Sequence, residues 1–253
     1  MFSEDPNPAD VVTSEVNRRL TQQYQEIAAL AGGLAHEIKN PLSTIRLNME
    51  LLAEDFAEVS SPRERRALQK IGVVQRECLR LQNLLDDFLS YAKLRRLNLQ
   101  PTDLNDVIDD VLDFFQPQAE ASNISVLRYL DVDLPLVQID RETFRAALLN
   151  LVLNAEQAMP HGGQLVIRTK PVAQGVGLEL IDTGVGMDRE TMTQIFDAFF
   201  STKPGGSGLG LPTARKIIEA QNGRISVQSE VGRGTKFMIW FPAPPRLAGE
   251  GRK

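Results

Sequence analysis

The chain has 253 residues, 42% of them hydrophobic, and a single cysteine. This length can hold two domains with a core in each, whereas one cysteine excludes an internal disulfide framework. The net charge of -5 argues against wholesale binding to nucleic acid or to an anionic membrane. Neither a signal-peptide pattern nor an apolar run of membrane-spanning length occurs, so the sequence predicts a cytoplasmic protein with no membrane segment.

The first predicted element is a long helix that follows a lead-in, residues 1–15, expected to be disordered. From about Val16, apolar residues recur at steps of three and four, which places them along one stripe of a helix. These residues are Ile27, Leu34, Ile38, Ile45, Met49, Leu52 and Phe56. A polar break follows, in which Ser61 suits an N-cap and Pro62 suits the first helical position.

The second predicted helix carries a heptad pattern of apolar residues. Its positions are Ile71, Val74, Cys78, Leu81, Leu85, Phe88 and Ala92. Together the two helices predict an antiparallel hairpin over residues 16–96. A hairpin cannot cover so long a seam by itself, so we expect two copies to pair as a four-helix bundle in a homodimer.

The heptad pattern of apolar residues ends before Gln100, and residues 100–242 predict a second domain. Helical patterns cover 104–120, 141–159 and 211–223. The strand-like segments 163–170 and 175–182 predict a hairpin-like pair, and 224–230 with 234–242 is expected to close the sheet. Shorter strands are expected near 124–130 and 135–140. The expected fold class is therefore α+β, with a helical hairpin followed by a layered α/β domain and a disordered tail over 243–253.

One of the two histidines, His36, lies in the first helix within "AHEIKNP". Asn40 falls one turn later on the same face, and Pro41 removes the donor for the Glu37 carbonyl, which predicts a bend there. A neutral imidazole nitrogen is a nucleophile at neutral pH when a carboxylate such as Glu37 holds its other N–H. On this helix alone, an ordinary surface histidine is the competing interpretation.

The second domain contains a series of polar and glycine-rich signals. Asn150 and Asn154 stand four apart on one helical face, and Asp182 ends a strand before Gly184 and Gly186. The two asparagines could instead be ordinary polar residues on the helix surface. Asp182 and its glycines could instead form an ordinary turn at the end of a strand.

A glycine-rich segment, "FDAFFSTKPGGSGLGL", follows and includes Gly206, Gly208 and Gly210. Backbone N–H groups of such a segment can cradle phosphates ahead of a helix N-terminus, although a plain linker has the same composition. The order of the signals in the second domain predicts a nucleotide site.

The motifs together resemble those of a known family. "AHEIKNP", "NLVLNAEQAM", "DTGVG", "FDAFFSTK" and "GSGLGL" are similar to the H, N, G1, F and G2 boxes of bacterial sensor histidine kinases, especially the nitrogen-regulation-like branch. The resemblance extends over about residues 20–242. It implies a dimerisation and phosphotransfer hairpin followed by a two-layer α/β sandwich of the GHKL ATPase type, and hence a protein histidine kinase.

The resemblance also implies roles for individual residues. His36 would be the phosphoacceptor, Glu37 its base or charge partner, and Asn40 the residue that orients water during phosphatase activity. Residues expected to bind ATP and Mg²⁺ are Asn150, Asn154 as the metal ligand, Asp182 for the adenine amino group, Gly184, Gly186, Lys203, Gly206, Gly208 and Gly210.

The implied partner is the receiver domain of a response regulator, which would accept the phosphoryl group on an aspartate. Many relatives carry a basic residue where this chain has Gln157, so we expect Lys203 to take a larger share of the phosphate contact. No sensor domain is recognisable before the hairpin, so the signal is expected from a partner, through the start of the first helix, or from a part of the protein beyond this chain.

Two other classes of function compete with the kinase. A clamp-type GHKL ATPase would carry a glutamate where this chain has Asn150. An adaptor that binds receivers without phosphorylating them would have no need of Asn154, Asp182 or the lid glycines. A kinase with dominant phosphatase activity is a closer variant, since Glu37 and Asn40 suit both directions.

Overall fold

The computed structural model describes residues 37–56, 61–92, 97–203 and 206–243. The chain divides into two compact units, Met1–Arg95 and Arg96–Lys253. The predicted lead-in, most of the predicted tail and His36 lie outside the described residues. Among the helices that are described, none has the length and apolar character that a membrane span requires.

The first unit contains two antiparallel helices, α1 over residues 37–54 and α2 over Pro62–Ala92. An ion pair joins Lys39 to Asp86, and Gln82 Nε2 donates to Ser43 Oγ at 3.2 Å, one turn later on α1 and one turn earlier on α2. Residue numbers thus rise along α1 while they fall along the facing part of α2, so the two helices run antiparallel. The predicted hairpin is confirmed.

The start of α2 also follows the sequence. Glu64 N donates to Ser61 Oγ at 3.2 Å, while Ser61 N donates to Glu64 Oε2 at 3.1 Å. This reciprocal pair is a capping box, with Pro62 at the first helical position where no donor is needed.

The apolar stripe predicted for α1 is not the one buried inside the chain. Leu42, which the stripe omitted, is 8% exposed, whereas Ile38, Ile45 and Leu52 are exposed. On α2, Ile71 and Cys78 are buried, but Val74 and Leu81 of the same heptad pattern are exposed. Val74 and Leu81 of the predicted seam are therefore uncovered in one chain, whereas Leu85 and Phe88 are partly buried.

The second unit is built on a five-stranded sheet in the order β2-β4-β5-β7-β6. Its strands are β2 Ile124–Tyr129, β4 Gly163–Val172, β5 Gly175–Asp182, β6 Arg224–Glu230 and β7 Gly234–Pro242. The pair β4–β5 is antiparallel, as the predicted hairpin requires. The pair β6–β7 is also antiparallel, whereas β2 joins β4 in parallel. A separate ribbon pairs β1 Gln100–Thr102 with β3 Val137–Ile139.

Four helices complete the unit: α3 Leu104–Ala121, α4 Arg141–Ala158, α5 Arg189–Gln194 and α6 Gly210–Ala220. Helix α4 packs against α3, α6 and β5. Apolar side chains from α3, α4, α6 and the sheet form one continuous core, in which Phe144 of α4 meets Phe241 of β7 edge to face at 5.2 Å. The result is a two-layer α/β sandwich, as predicted.

Candidate active site

Helix α4 carries the two asparagines that the sequence analysis singled out. Leu151, Val152 and Ala155 of α4 are buried in the core, whereas Asn150 and Asn154 are only partly buried. Asn150 Nδ2 donates to the carbonyl of Gly210 at 3.3 Å, which ties α4 to the first residue of α6. The amphipathic pattern of α4 therefore places both amides together beside the glycine-rich segment.

The start of α4 is fixed by Asp140. Its Oδ1 accepts from Thr143 N at 3.0 Å as an N-cap, and its Oδ2 accepts from Asn98 N at 2.9 Å. Its own N–H donates to Gln221 Oε1 at 2.7 Å. Burial by itself raises the pKa of the Asp140 carboxyl, but the backbone hydrogen bonds outweigh it and leave the pKa below its usual value.

Lys203 is a charged residue that contacts Asn154. Its Nζ donates to Asn154 Oδ1 at 2.9 Å, to Gln157 Oε1 at 3.1 Å and to the Asn154 carbonyl at 3.4 Å. Burial lowers the pKa of the Lys203 ammonium, while the negative charge of Asp182 acts in the opposite direction. The structure thus brings together Asn154 and Lys203, which are distant in sequence.

Asp182 stands at the end of β5 and is 2% exposed. Its Oδ1 accepts from Gly184 N at 2.9 Å and from Thr235 N at 3.2 Å. Burial raises the pKa of the Asp182 carboxyl above its usual value, against these two hydrogen bonds and the charge of Lys203. No donor from the described residues engages Oδ2, so this oxygen can accept a hydrogen bond from a ligand.

The glycines after Asp182 have reasons within the protein. A Cβ at Gly184 would lie 2.5 Å from the Ala158 carbonyl oxygen and 2.8 Å from Asp182 Oδ1. Gly186 has φ 65°, and its Cβ would lie 2.0 Å from the Glu230 carbonyl oxygen. The backbone therefore packs too closely for a side chain at either position, independently of any ligand.

The glycine-rich segment is anchored by Phe199. Phe199 N donates to the Gly208 carbonyl at 3.0 Å, and Phe199 itself adopts φ 68° with a side chain 65% exposed. Gly208 has φ 66°, and a Cβ there would lie 2.5 Å from Phe199 C. Gly206 N donates to the Lys203 carbonyl at 3.1 Å, whereas nothing crowds Gly210 more closely than Asn150 Cγ at 4.0 Å.

The described candidate residues of the first unit, Glu37 and Asn40, lie on α1. Glu37 and Asn40 are exposed, and the carbonyl of Asn40 accepts from Thr44 Oγ1 at 3.1 Å. Pro41 lies within the helical residues 37–54, and the bend expected beside it stays a prediction. Cys78 is buried, as its place in the heptad indicates.

The donor set near Asn154 bears on a metal ion. Within the described ranges, no group of three or more His, Cys, Asp or Glu side chains could hold one. An amide oxygen is nevertheless a ligand that Mg²⁺ accepts, and this ion usually completes its shell with water and substrate phosphates. Asn154 Oδ1, which accepts from Lys203 Nζ in this structure, therefore suits Mg²⁺ that arrives with a nucleotide once Lys203 releases this oxygen and keeps its contact with Gln157.

Two contributors escaped the sequence analysis. Thr235 follows a turn glycine, and its backbone N–H supports Asp182, a contact that no side-chain pattern reveals. The motif comparison treats Gln157 only as the absence of a basic residue, yet its Oε1 accepts a hydrogen bond from the Lys203 ammonium. Its spacing of three residues from Asn154 on a helix was the available signal.

Comparison with known proteins agrees with this architecture. Residues 26–97 match the His Kinase A (phospho-acceptor) domain, and residues 139–245 match the histidine kinase-, DNA gyrase B- and HSP90-like ATPase family. The sensor histidine kinase ZraS of Escherichia coli K12 is 36% identical over 232 residues, which cover 92% of this chain and 48% of ZraS. The chain thus spans about half the length of the curated relatives it matches.

Solved structures extend the comparison. The catalytic domain of histidine kinase ThkA is 31% identical, with a TM-score of 0.53 over 58% of this chain and 96% of that domain. ThkA in complex with the response regulator protein TrrA is 26% identical, with a TM-score of 0.65 over 95% of this chain and 69% of that one. This chain is therefore a member of the sensor histidine kinase family, with a phospho-acceptor domain followed by an ATPase-type catalytic domain.

Proposed function

We propose that the protein phosphorylates itself on His36 with ATP and then passes the phosphoryl group to an aspartate of a response regulator. The observation that carries this proposal is the constellation of Asp182, Asn154 and Lys203 in a chain that also has a phospho-acceptor domain. A buried carboxylate, an amide oxygen and an ammonium provide complementary groups for adenine, a metal ion and phosphate.

Each candidate site residue of the second unit has a role in the proposed reaction. Asp182 Oδ2 accepts a hydrogen bond from the adenine amino group, and Gly184 and Gly186 shape the backbone beside the base. Asn154 binds Mg²⁺, which supplies charge neutralisation on the phosphates when bound. The remaining groups hold the phosphates: Asn150, Lys203, Gly206, Gly208 and Gly210.

The transfer forms one bond and breaks another. A neutral imidazole nitrogen of His36 attacks the γ-phosphorus in line, the bond to the bridging oxygen breaks, and ADP leaves with the electron pair. Glu37 takes the proton that the phosphorylated imidazole releases from its other nitrogen. The phosphoramidate then transfers its phosphoryl group to a carboxylate of the receiver, which restores the histidine.

The partner follows from the same family. The structure of ThkA, which aligns with 95% of this chain, has been solved in complex with the response regulator protein TrrA. We infer a receiver domain as the partner here, docking near His36 on the hairpin. The exposed apolar residues of the hairpin, Ile38, Ile45, Leu52, Val74 and Leu81, support a homodimer that buries them.

Phosphatase activity toward the regulator is a second candidate. Asn40 is exposed on α1 within the same turn as Glu37, where an amide can orient water toward a phosphorylated receiver. Membership of the nitrogen-regulation-like branch and a cytoplasmic location complete the proposal, and both rest on the sequence analysis.

Labelling with radioactive ATP tests the kinase. The whole chain is incubated with Mg²⁺ and ATP labelled in the γ- or the α-phosphate, beside His36→Gln and Asn154→Ala. We expect acid-labile, alkali-stable label from γ-labelled ATP only, and none in either variant. Label in His36→Gln equal to that of the unmodified chain would refute the assignment of the acceptor, and unlabelled protein that binds ATP would favour the adaptor.

A further inference from the structure

Gln157 holds the Lys203 ammonium from the surface side of α4. Three oxygens surround Nζ: Asn154 Oδ1, the Asn154 carbonyl and Gln157 Oε1, at 2.9, 3.4 and 3.1 Å. All three belong to neutral amides or to the backbone. They orient the ammonium without cancelling its charge.

The charge of Lys203 is not neutralised by an ion pair. Among the described residues, no carboxylate oxygen lies within salt-bridge distance of Nζ, in contrast to the Lys39–Asp86 and Lys170–Glu179 pairs elsewhere in the chain. The charge of Asp182 acts on Lys203 from beyond that distance, but an ammonium whose hydrogen bonds go to neutral oxygens keeps a field that attracts an anion. The candidate anion in this site is a nucleotide phosphate.

The backbone of Lys203 is also fixed. Its N–H donates to Ser201 Oγ at 3.2 Å, and its carbonyl accepts from Gly206 N at 3.1 Å. A Cβ at Gly206 would lie 2.4 Å from Ser201 Oγ, so this turn is tightly packed. The side chain therefore reaches α4 from a defined starting point.

Resting on the proposed function, we propose that Gln157 is a positioning residue that holds the Lys203 ammonium where it binds the terminal phosphate of ATP. An amide oxygen suits this role because it accepts from the ammonium and carries no charge to repel phosphate. A carboxylate at the same position would pair with Lys203 and oppose the phosphate. The side chain at position 157 thus sets how much of the lysine charge the nucleotide meets.

Equilibrium binding of ATP and ADP to the whole chain, with Mg²⁺ present, tests this role. Lys203→Gln is expected to weaken ATP binding about tenfold and ADP binding much less, because the contact is to the terminal phosphate. Gln157→Met removes one hydrogen bond and is expected to weaken ATP binding about threefold. Gln157→Glu keeps the shape but adds a charge, and is expected to cost about tenfold.

Two further variants separate positioning from general damage. In Gln157→Met combined with Lys203→Gln, ATP binding should be no weaker than in Lys203→Gln alone, since Gln157 acts through Lys203. Gln116→Met makes the same change on α3, where Gln116 bonds to Glu120, and should leave binding unchanged. Thermal unfolding of every variant checks that the second unit remains folded.

The outcomes separate the positioning role of Gln157 from the proposed binding of ATP. Equal losses for ATP and ADP, additive effects in the double variant, or Gln157→Met behaving like Gln116→Met would overturn the positioning role while the wild-type chain still binds ATP. Failure of the wild-type chain to bind ATP would overturn the proposed function as well.

Discussion

The two units differ in how completely each one covers its own apolar residues. The second unit buries a continuous core, including Phe144, Phe237 and Phe241 at 0–1% exposure. In the described part of the first unit, only Leu42, Ile71 and Cys78 are buried among the apolar residues. The second unit thus encodes a complete core within one chain, whereas the described hairpin leaves apolar side chains exposed that the proposed homodimer would bury.

The largest expected effect is in the core of the second unit. Phe144→Ala removes a fully buried ring that packs edge to face on Phe241, and should lower the free energy of unfolding by about 3–5 kcal/mol. Calorimetry of the whole chain measures this loss of stability on the unfolding transition whose midpoint temperature rises when ATP binds. A loss equally large in the hairpin transition would contradict the assignment of Phe144 to the core of the second unit.

A backbone position in the same unit should give the next largest effect. Gly186→Ala places a Cβ against the Glu230 carbonyl oxygen at a φ of 65°, and should cost more than about 2 kcal/mol. Gly232→Ala is the control, since φ is 78° there but no atom lies within 4 Å of the new Cβ. Chemical denaturation of both variants separates crowding from backbone strain, and equal losses would rule out crowding.

A smaller effect is expected at the cap of α4. Asp140→Ala removes the acceptor for Thr143 N and Asn98 N, and should lower stability by about 1–2 kcal/mol at neutral pH. Because the pKa of Asp140 is lowered by folding, its contribution is present above the usual aspartate pKa and is lost as the pH falls through the folded-state pKa.

Unfolding curves at several pH values check this sign. The difference between wild type and Asp140→Ala should shrink on acidification. Asp140→Asn keeps an acceptor that does not titrate in this range and should retain most of the cap stability. A difference that grows toward acid pH would contradict the account of Asp140.

The smallest effect within a single chain is expected in the hairpin. Leu81→Ala changes a side chain that is 44% exposed, so dilute monomer should lose less than about 1 kcal/mol. If this residue lies in the dimer interface, sedimentation equilibrium should show about a tenfold weaker dimer. Leu79→Ala, exposed to 52% but off the heptad seam, is the matched control, and equal weakening by both variants would contradict the seam.

Local chemistry made much of the fold predictable from sequence. The capping box at Ser61, the strand pairs β4–β5 and β6–β7, and α4 within a residue of its predicted end all follow from patterns of a few residues. The β1–β3 ribbon could not be foreseen, because its three-residue strands pair segments more than thirty residues apart. Helix α5 is too short to show a helical period.

The same division applies to the site. The residue types at Asn154 and Asp182 were enough to predict a nucleotide site, because their motifs are local. The contact of Lys203 with Asn154 and Gln157 depends on how the chain returns to α4, which no local pattern encodes. Likewise, the need for glycine at position 186 arises from the Glu230 carbonyl, which lies far along the chain.

The most direct test of the account is to locate the phosphoryl group. The whole chain is incubated with Mg²⁺ and ATP, digested at neutral or alkaline pH to preserve phosphohistidine, and mapped by mass spectrometry. We predict one phosphoryl group on the peptide that contains His36, and its absence when Asn154→Ala replaces the wild type. Phosphate on a serine, a threonine or the other histidine, His161, with His36 unmodified, would contradict the account.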